Sequence, residues 1–551
     1  MYRILGIILL IWAVVSAQER QELILLHTTD VHGQIYPYDY FSDQADKKGL
    51  AKVYTLVKRY RQDHANVLLL DGGDLIQGTP LVYYFNHIEN HLPNPMILVM
   101  NYMRYDAFTV GNHDIEQGYL TYVKARDEAA FPWLSANGLY PDKEPFFEPF
   151  TITERNGIRI GIIGLTTPAI PMWLDSTLYP GLHWQDMVIS ANHWVTVVRP
   201  QVDVLVGLFH AGMNPEYSRD QTDLLGLPNE NASRLIAEHV PGFDVIFCGH
   251  AHRIYPYKAD DPQYVGNTLL VMSGSYARNL GSVTLELQSS QTGWEIVRGS
   301  SIIHHTDTVQ AAPEILAIAE VYHRKTLAYI RQEIGEVRDT ISGKWSRLVD
   351  NPLVETINRA QMQATGAGIS MAASFSDRFL LVPGKIHVKD VYGMYRYENF
   401  IYTIELTGKQ IKDYLEYSAR YFSWDNEKKS IVESDQIAGY NYDMAEGIGY
   451  EVHIGEPAGK RIQKLTDLST GKPLLADSLY TVALNSYRAS GGGGHLAGAG
   501  VTRPAITWKS SEEMRNILIE YIKNHNTLDN QVDQNWRLVL PEHATDQVEP
   551  R

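Results

Sequence analysis

Apolar residues fall into short, near-continuous runs along the first 305 positions, each ending in a turn of Gly, Asp, Asn or His. The runs are ELILLHTTDVHG, NVLLLDGGD, AFTVGNHD, RIGIIGLTTP, VDVLVGLFHAG, DVIFCGHAHR and TLLVMSGS. Runs this apolar predict strands buried on both faces. Between several of them lie helix-like stretches, such as GLAKVYTLVKRYRQDH (49–64) and SRLIAEHV (233–240). Strands alternating with helices predict an α/β layered domain over 18–305. Positions 306–340 lack strand signals, and APEILAIAEVYHRKTLAYIRQEIGEV (312–337) spaces its apolar residues at three and four. That spacing predicts one long connecting helix. A second α/β region, 341–540, includes YTIELTGKQIKDYLEYSARYF (402–422), read as a strand, a Gly turn and a helix. It also includes SLYTVALNSYRASGGGGHLAGAG (478–500), read as a strand running into a Gly-rich loop. Residues 541–551 read as a polar tail.

Length agrees with this division, because 551 residues exceed what one core usually serves. The net charge of −16 disfavours a nucleic-acid polymer as partner, since phosphate backbones demand Lys and Arg. Small phosphate esters stay open, because a metal can neutralise them locally. The opening MYRILGIILLIWAVVSAQER sets one Arg before a short apolar run and small residues. This is the pattern of a secretory signal over 1–17, and it predicts export to the periplasm or outside. The run is too short to span a bilayer, so no stable membrane span is expected. A single cysteine, Cys248, rules out an internal disulfide and reads as a small buried hydrophobe.

The polar residues that close the apolar runs carry the chemistry. They are Asp30, His32, Asp74, Asn112, His113, Asp114, His210, His250 and His252. In open α/β sheets, ligands bind beyond the carboxyl ends of strands, so loops from five strands could meet at one point. Imidazole suits Zn, Mn and Fe, while carboxylate and amide oxygens suit harder ions. The donors exceed the ~4 that one tetrahedral ion takes, so two divalent ions sharing a carboxylate use them better. His250 and His252, alternating in a short turn, could then each face a different ion. Gly33, Gly73, Gly111 and Gly249, beside the ligands, are expected to leave room for sharp turns and close backbone approach. His27, His87, His91, His183 and His193 are expected in surface or packing roles.

DVHG, GGDLIQG, GNHD, FHAG and GHAH, in this order, resemble the motifs of the calcineurin-like metallophosphoesterases. Within them the chain is similar to the exported 5′-nucleotidase and 2′,3′-cyclic-nucleotide phosphodiesterase group over nearly its whole mature length. The resemblance implies an N-terminal layered β-sandwich flanked by helices and a C-terminal α/β domain that binds substrate. It implies that Asp30, His32, Asp74 and His252 hold one ion, and that Asp74, Asn112, His210 and His250 hold the other. His113 would face the phosphate and Glu116 would orient it, where the family often has Asp. Tyr397 and Tyr487 would sandwich a nucleobase, with Gly491 and Gly492 letting backbone approach the ligand. Asp114 reads as a structural cap or as a support for the ligands rather than a ligand.

The resemblance further implies a nucleotide substrate and a monomer or weak dimer. ISMAASFSDRF (369–379) lacks the Gly-rich, Arg-bearing segment common in 5′-nucleotidases, and Arg378 is only a loose substitute. YNYDMAEGIGYEVHIGEPAGKRI (440–462) and NSYRASGG are most similar to the cyclic-nucleotide phosphodiesterase/3′-nucleotidase branch, whereas Glu116 is less typical of it. A 5′-nucleotidase/UDP-sugar hydrolase is the alternative enzyme. An exported nucleotide-binding protein without catalysis is the alternative of another class, and a hydrolase of some other ester is a third.

Overall fold

The computed structural model describes residues 19–256, 263–502 and 504–541. The expected signal sequence, and all of the expected tail except Pro541, lie outside the described residues. Among the described residues no helix is long and apolar enough to cross a membrane.

Every apolar run of the first region contains a strand. They are β1 (Arg20–Thr28), β2 (Val67–Asp71), β3 (Ala107–Thr109), β4 (Ile158–Thr166), β5 (Val204–His210), β6 (Val245–Cys248) and β7 (Thr268–Ser273). β1, β2 and β3 pair in parallel, and antiparallel β8 (Asn279–Ser289) and β9 (Trp294–His305) extend that sheet beyond β1. β4, β5, β6 and β7 pair in parallel in a second sheet.

The period of two along each strand explains the apolar runs. Leu23 and Leu25 of β1 face the second sheet, in one cluster with Ile160, Val206 and Phe247. Ile24 and Leu26 face the other way, toward Leu50, Val53 and Val57 of helix α1 (Leu50–Asp63). Both faces are buried, and each fully buried Leu or Ile contributes about 1.5–3 kcal/mol. A short helix, α2 (Asn112–Glu116), follows β3. The outer face of the second sheet packs on α3 (Met187–Val198) and α4 (Ser233–His239). Cys248 is buried in that layer, and burial pushes its thiol up to about 12.

The connecting helix is shorter than its spacing predicts. α5 runs from Pro313 to Ile330, and Glu333–Val337 is a strand, β10. Ile334 and Val337 are both buried although three residues apart. A register shift between Glu333 and Gly335 lets both face inward, so a bulged strand mimics the helical interval.

The second region holds a mixed five-stranded sheet in the order Asp443–Glu446, Ile369–Ala373, Leu479–Asn485, Phe400–Thr407, Ile506–Glu513. Here two further expectations need correction. No Gly turn separates the strand from the helix in 402–422, because Gly408 is the first helical residue. Thr407 caps it, accepting from the Gln410 amide at 3.2 Å, and the Gln410 side chain accepts from the Thr407 amide at 2.8 Å. Tyr487 lies on a one-turn helix, Ser486–Ala489, rather than in a loop. Asn485 starts that turn by accepting from the Arg488 amide at 2.8 Å.

Candidate metal centre

The carboxyl ends of β1, β2, β3, β5 and β6 bring their polar residues to one place. Donor atoms of Asp30, His32, Asp74 and His252 lie within 4.8 Å of one another, and so do those of Asp74, His210 and His250. Asn112 Oδ1 is 3.2 Å from His210 Nε2. Asp74 belongs to both groups.

The turns that deliver these donors are made largely by the donors themselves. Asp30, His32, Asp74, His250 and His252 have φ of 50, 50, 57, 70 and 54°. This left-handed region disfavours residues with a Cβ by about 1–2 kcal/mol. The neighbouring glycines add the turns and the close approach expected of them. Gly33 and Gly73 have positive φ, whereas Gly111 has φ −97°. Gly111 is needed for space, since a Cβ there would fall 2.1 Å from Asp74 Oδ1.

Buried Asp114 holds the turns after β2 and β3 together. Its carboxylate accepts from the amides of Gly111 and Asp74 at 2.9 Å, Leu75 at 2.8 Å and Ile76 at 3.0 Å. That is the structural cap the sequence suggested. Burial and the neighbouring Asp74 raise its carboxyl to about 6.

The donor set fits divalent cations on an observation independent of any relative. His210 Nδ1 is 2.7 Å from the Gly72 carbonyl, to which it donates. Its Nε2 therefore turns toward two oxygens, Asn112 Oδ1 at 3.2 Å and Asp74 Oδ2 at 3.1 Å. His32 repeats the pattern, with Nδ1 3.2 Å from the Gln77 carbonyl and Nε2 facing His252 Nε2 at 2.9 Å. A ring nitrogen fixed by a carbonyl on one side and crowded by acceptors on the other is the arrangement of a metal ligand. Asp74 Oδ2 is buried without a well-formed hydrogen bond. Burial opposes ionisation of Asp74, but His210, His113 and His32 hold its carboxyl well below the usual range. Burial likewise opposes charging of His210, and Asp74 lifts that imidazole to about 9.

His113 stands beside this centre. Its amide donates to Asp74 Oδ1 at 2.8 Å, and its Nδ1 is 2.5 Å from Glu116 Oε2. Burial opposes its charge, while Asp74 and Glu116 raise it to about 10.

Three neighbours were missed from the sequence. Buried Glu230 accepts from His250 Nε2 at 2.7 Å. It sits in the polar loop LPNENAS, where nothing distinguished it. Tyr276 lies 5.3 Å from the His32 ring and 5.6 Å from the His252 ring, and Trp173 lies 5.4 Å from the His250 ring.

The aromatic positions of the second region are brought near this centre. Tyr397 is 40% exposed, with Phe375 at 5.3 Å and Tyr440 at 6.1 Å between ring centroids. Burial pushes the Tyr487 phenol up to about 12, and Glu230, Tyr217 and Tyr397 are near enough to add to the rise. The Tyr276 phenol, raised to about 12 by burial, also senses Tyr397 and Arg396. Gly492 lies flat on the Tyr487 ring, where a Cβ would come within 2.5 Å. Gly491 precedes it with φ 107°. Arg378 sits exposed on a turn, its amide donating to Ser376 Oγ at 3.3 Å.

His27 packs as expected, stacked on Phe247 at 4.5 Å, and His91, His183 and His193 are exposed. His87 differs. It lies 3.1 Å from Gln117 Oε1 and 3.7 Å from Glu513, where the two regions meet.

Residues 23–253 match the calcineurin-like phosphoesterase family, and residues 333–498 match the 5′-nucleotidase C-terminal domain. The chain belongs to the calcineurin-like phosphoesterases that carry such a C-terminal domain, and it is a hydrolase of phosphate esters. It is 29% identical over 95% of its length to the trifunctional nucleotide phosphoesterase protein of Bacillus subtilis, spanning 39% of that longer protein. It is 27% identical to the 2′,3′-cyclic-nucleotide 2′-phosphodiesterase/3′-nucleotidase of Haemophilus influenzae, covering 98% of this chain and 91% of the relative. A Staphylococcus aureus structure described as a 5′-nucleotidase, in complex with α-ketoglutarate, shares the fold. Its TM-score is 0.80, at 21% identity, over 94% of this chain and 99% of that one.

Proposed function

We propose that this chain hydrolyses nucleotide phosphate esters with two divalent ions, as a 2′,3′-cyclic-nucleotide 2′-phosphodiesterase/3′-nucleotidase. The observation that carries the reading is the pair of donor groups sharing Asp74. Asp30, His32, Asp74 and His252 would hold one ion; Asp74, Asn112, His210 and His250 would hold the other. Zn, Mn or Fe suits this mixture of imidazole and oxygen donors. Bound there, the ions would supply Lewis acidity, offsetting phosphoryl charge and acidifying the attacking water.

The chain's own residues do the rest. Asp114 fixes the loops that carry Asp74 and Asn112, and Glu230 orients the His250 ring. Glu116 holds His113 through Nδ1, which leaves Nε2 to donate toward the phosphoryl group and the departing oxygen. Tyr397 and Tyr487 supply faces for the base, each worth about 1–3 kcal/mol and tolerant of base identity. The full-length similarity to the Haemophilus influenzae relative supports the cyclic and 3′ specificity. The first 17 residues support action outside the cytoplasm.

The test is a side-by-side comparison of initial rates on 2′,3′-cyclic AMP, 3′-AMP, 5′-AMP and UDP-glucose, after metal removal and reloading with Mn or Zn. Fastest turnover of the first two is expected. Turnover confined to 5′-AMP and UDP-glucose would move the chain to the alternative branch, and nucleotide binding without turnover would make it a binding protein.

A further inference from the structure

The C-terminal region holds a second group of convergent carboxylates, far in sequence from the phosphoesterase donors. Oxygens of Asp350, Glu355 and Asp533 lie within 4.8 Å of one another. We infer that these three residues, with Glu446, bind a hard divalent cation of the calcium type that fastens the last strand to its domain.

The central observation is Glu355. It is 2% exposed, and its Oε2 has no hydrogen-bond partner. Its one ion pair is with Arg359, one helical turn away, through Oε1. Glu446 is 6% exposed and lies beside the group, sharing a hydrogen bond with the Asp533 side chain. Burial, with Asp533 and Glu355 nearby, raises the Glu446 carboxyl to about 8, and burial raises Glu355 to about 7.

Other buried acids of this region are met by cations. Glu451 is met by Lys464, Arg537 and His453, and Asp443 by Arg488. Here four carboxylates share one guanidinium among the contacts of the described residues. The donors are all hard oxygens, with neither imidazole nor thiolate, and that chemistry selects calcium over zinc or copper.

The donors come from three separate segments. Asp350 and Glu355 flank the start of helix α6 (Pro352–Thr365), Glu446 ends a strand of the central sheet, and Asp533 precedes the strand Trp536–Val539. The frame is already tied. Asp350 accepts from the Gln534 amide at 2.9 Å. The Asn535 side chain donates to the carbonyls of Ala445 at 2.7 Å and Ile448 at 3.0 Å. A cation would join the same three segments through charge. It would also remove the repulsion that otherwise favours keeping Glu446 and Glu355 protonated.

The test is titration of CaCl2 into the metal-stripped full-length chain, followed by calorimetry and thermal melting. The wild type is compared with Asp533→Asn and Glu446→Gln. Each variant replaces one crowded carboxyl by its neutral amide, and Asp533 is exposed, so folding is expected to survive. Activity after reloading with Mn checks that it does. The expected result is a calcium site present in the wild type and absent from both variants. Calcium should raise the wild-type Tm by about 3 °C or more and leave the variants' Tm unchanged. Equal calcium uptake by wild type and variants would assign it to the phosphoesterase donors and overturn the inference. No uptake by the wild type would overturn it as well, leaving a set of carboxyl groups held together by shared protons.

Discussion

In the proposed reaction His113 and Glu116 divide one task between them. His113→Ala should lower kcat by about 10²–10⁴-fold, the usual contribution of a positioned acid or base. Glu116 acts only through the ring it orients. Glu116→Gln should therefore lower kcat by about 10-fold, leave KM for 3′-AMP unchanged and shift the alkaline limb of the pH profile to lower pH, because Glu116 helps keep His113 protonated. A change confined to KM would place Glu116 on the substrate instead. The buried pair of Arg488 and Asp443, with Nε 2.8 Å from Oδ2, lies beside Tyr487. Burial opposes the charge of Asp443, but Arg488 holds its carboxyl down to about 2. A depressed carboxyl stabilises the fold above its ordinary value of 3.8 and loses that contribution as pH falls toward 2. Wild-type Tm should thus drop steeply between pH 4 and 2. Arg488→Ala should cost about 3–5 kcal/mol at neutral pH, because it strands a buried charge. Chemical denaturation at the two pH values checks both. Of the residues discussed at this scale, those closing apolar runs were legible in the sequence. Glu230 was not, because it reaches His250 from a loop whose composition is that of any surface turn.

Turns, strands and helices show where periodicity informs and where it misleads. The seven apolar runs named their strands, because burial on both faces leaves no polar position to blur the pattern. The β10 segment was misread because a bulge gives a strand the three-residue interval of a helix. Gly111, expected to allow close backbone approach, serves by being small. Gly111→Ala should displace Asp74 against the backbone, lowering bound metal by roughly half or more as measured by elemental analysis, while circular dichroism stays native. Equal metal content would mean the turn yields. Tyr397 and Tyr487 belong to this scale too, because a bend before the strand Phe400–Thr407 and a one-turn helix set their separation. Tyr397→Ala and Tyr487→Ala should each raise KM for 3′-AMP by about 10-fold, in keeping with one stacked face. Neither should alter hydrolysis of p-nitrophenyl phosphate, which has no base. A uniform loss on both substrates would mark the rings as packing residues.

At the scale of the whole molecule, the two regions touch beside the centre. Gln117, next to Glu116, donates to Glu398 at 2.7 Å, and Lys509 pairs with Asp175 across the same boundary. Substrate that places its phosphate on one region and its base on the other must enter and leave between them. Relative motion is the usual behaviour across such boundaries. Asp175→Cys with Lys509→Cys, joined by a short bismaleimide, should slow turnover by about 10-fold without changing metal content. The single native cysteine is buried and should not react. Unchanged turnover in the joined enzyme would show that exchange needs no opening. The two-region division was argued from the pattern of apolar runs and the chain length, whereas the contact between the regions was not foreseen. Gln117, Glu398 and His87 are ordinary polar residues until the fold sets them face to face.

The left-handed backbone at Asp30, His32, Asp74, His250 and His252 has a consequence for heritable change. Strain of this kind persists only while the surrounding structure and bound ligand compensate for it. A copy released from selection for catalysis could gain heat tolerance by losing a donor. His252→Gly, inert as an enzyme, should then melt above its metal-free parent, and decay of activity in this lineage would run downhill in folding free energy.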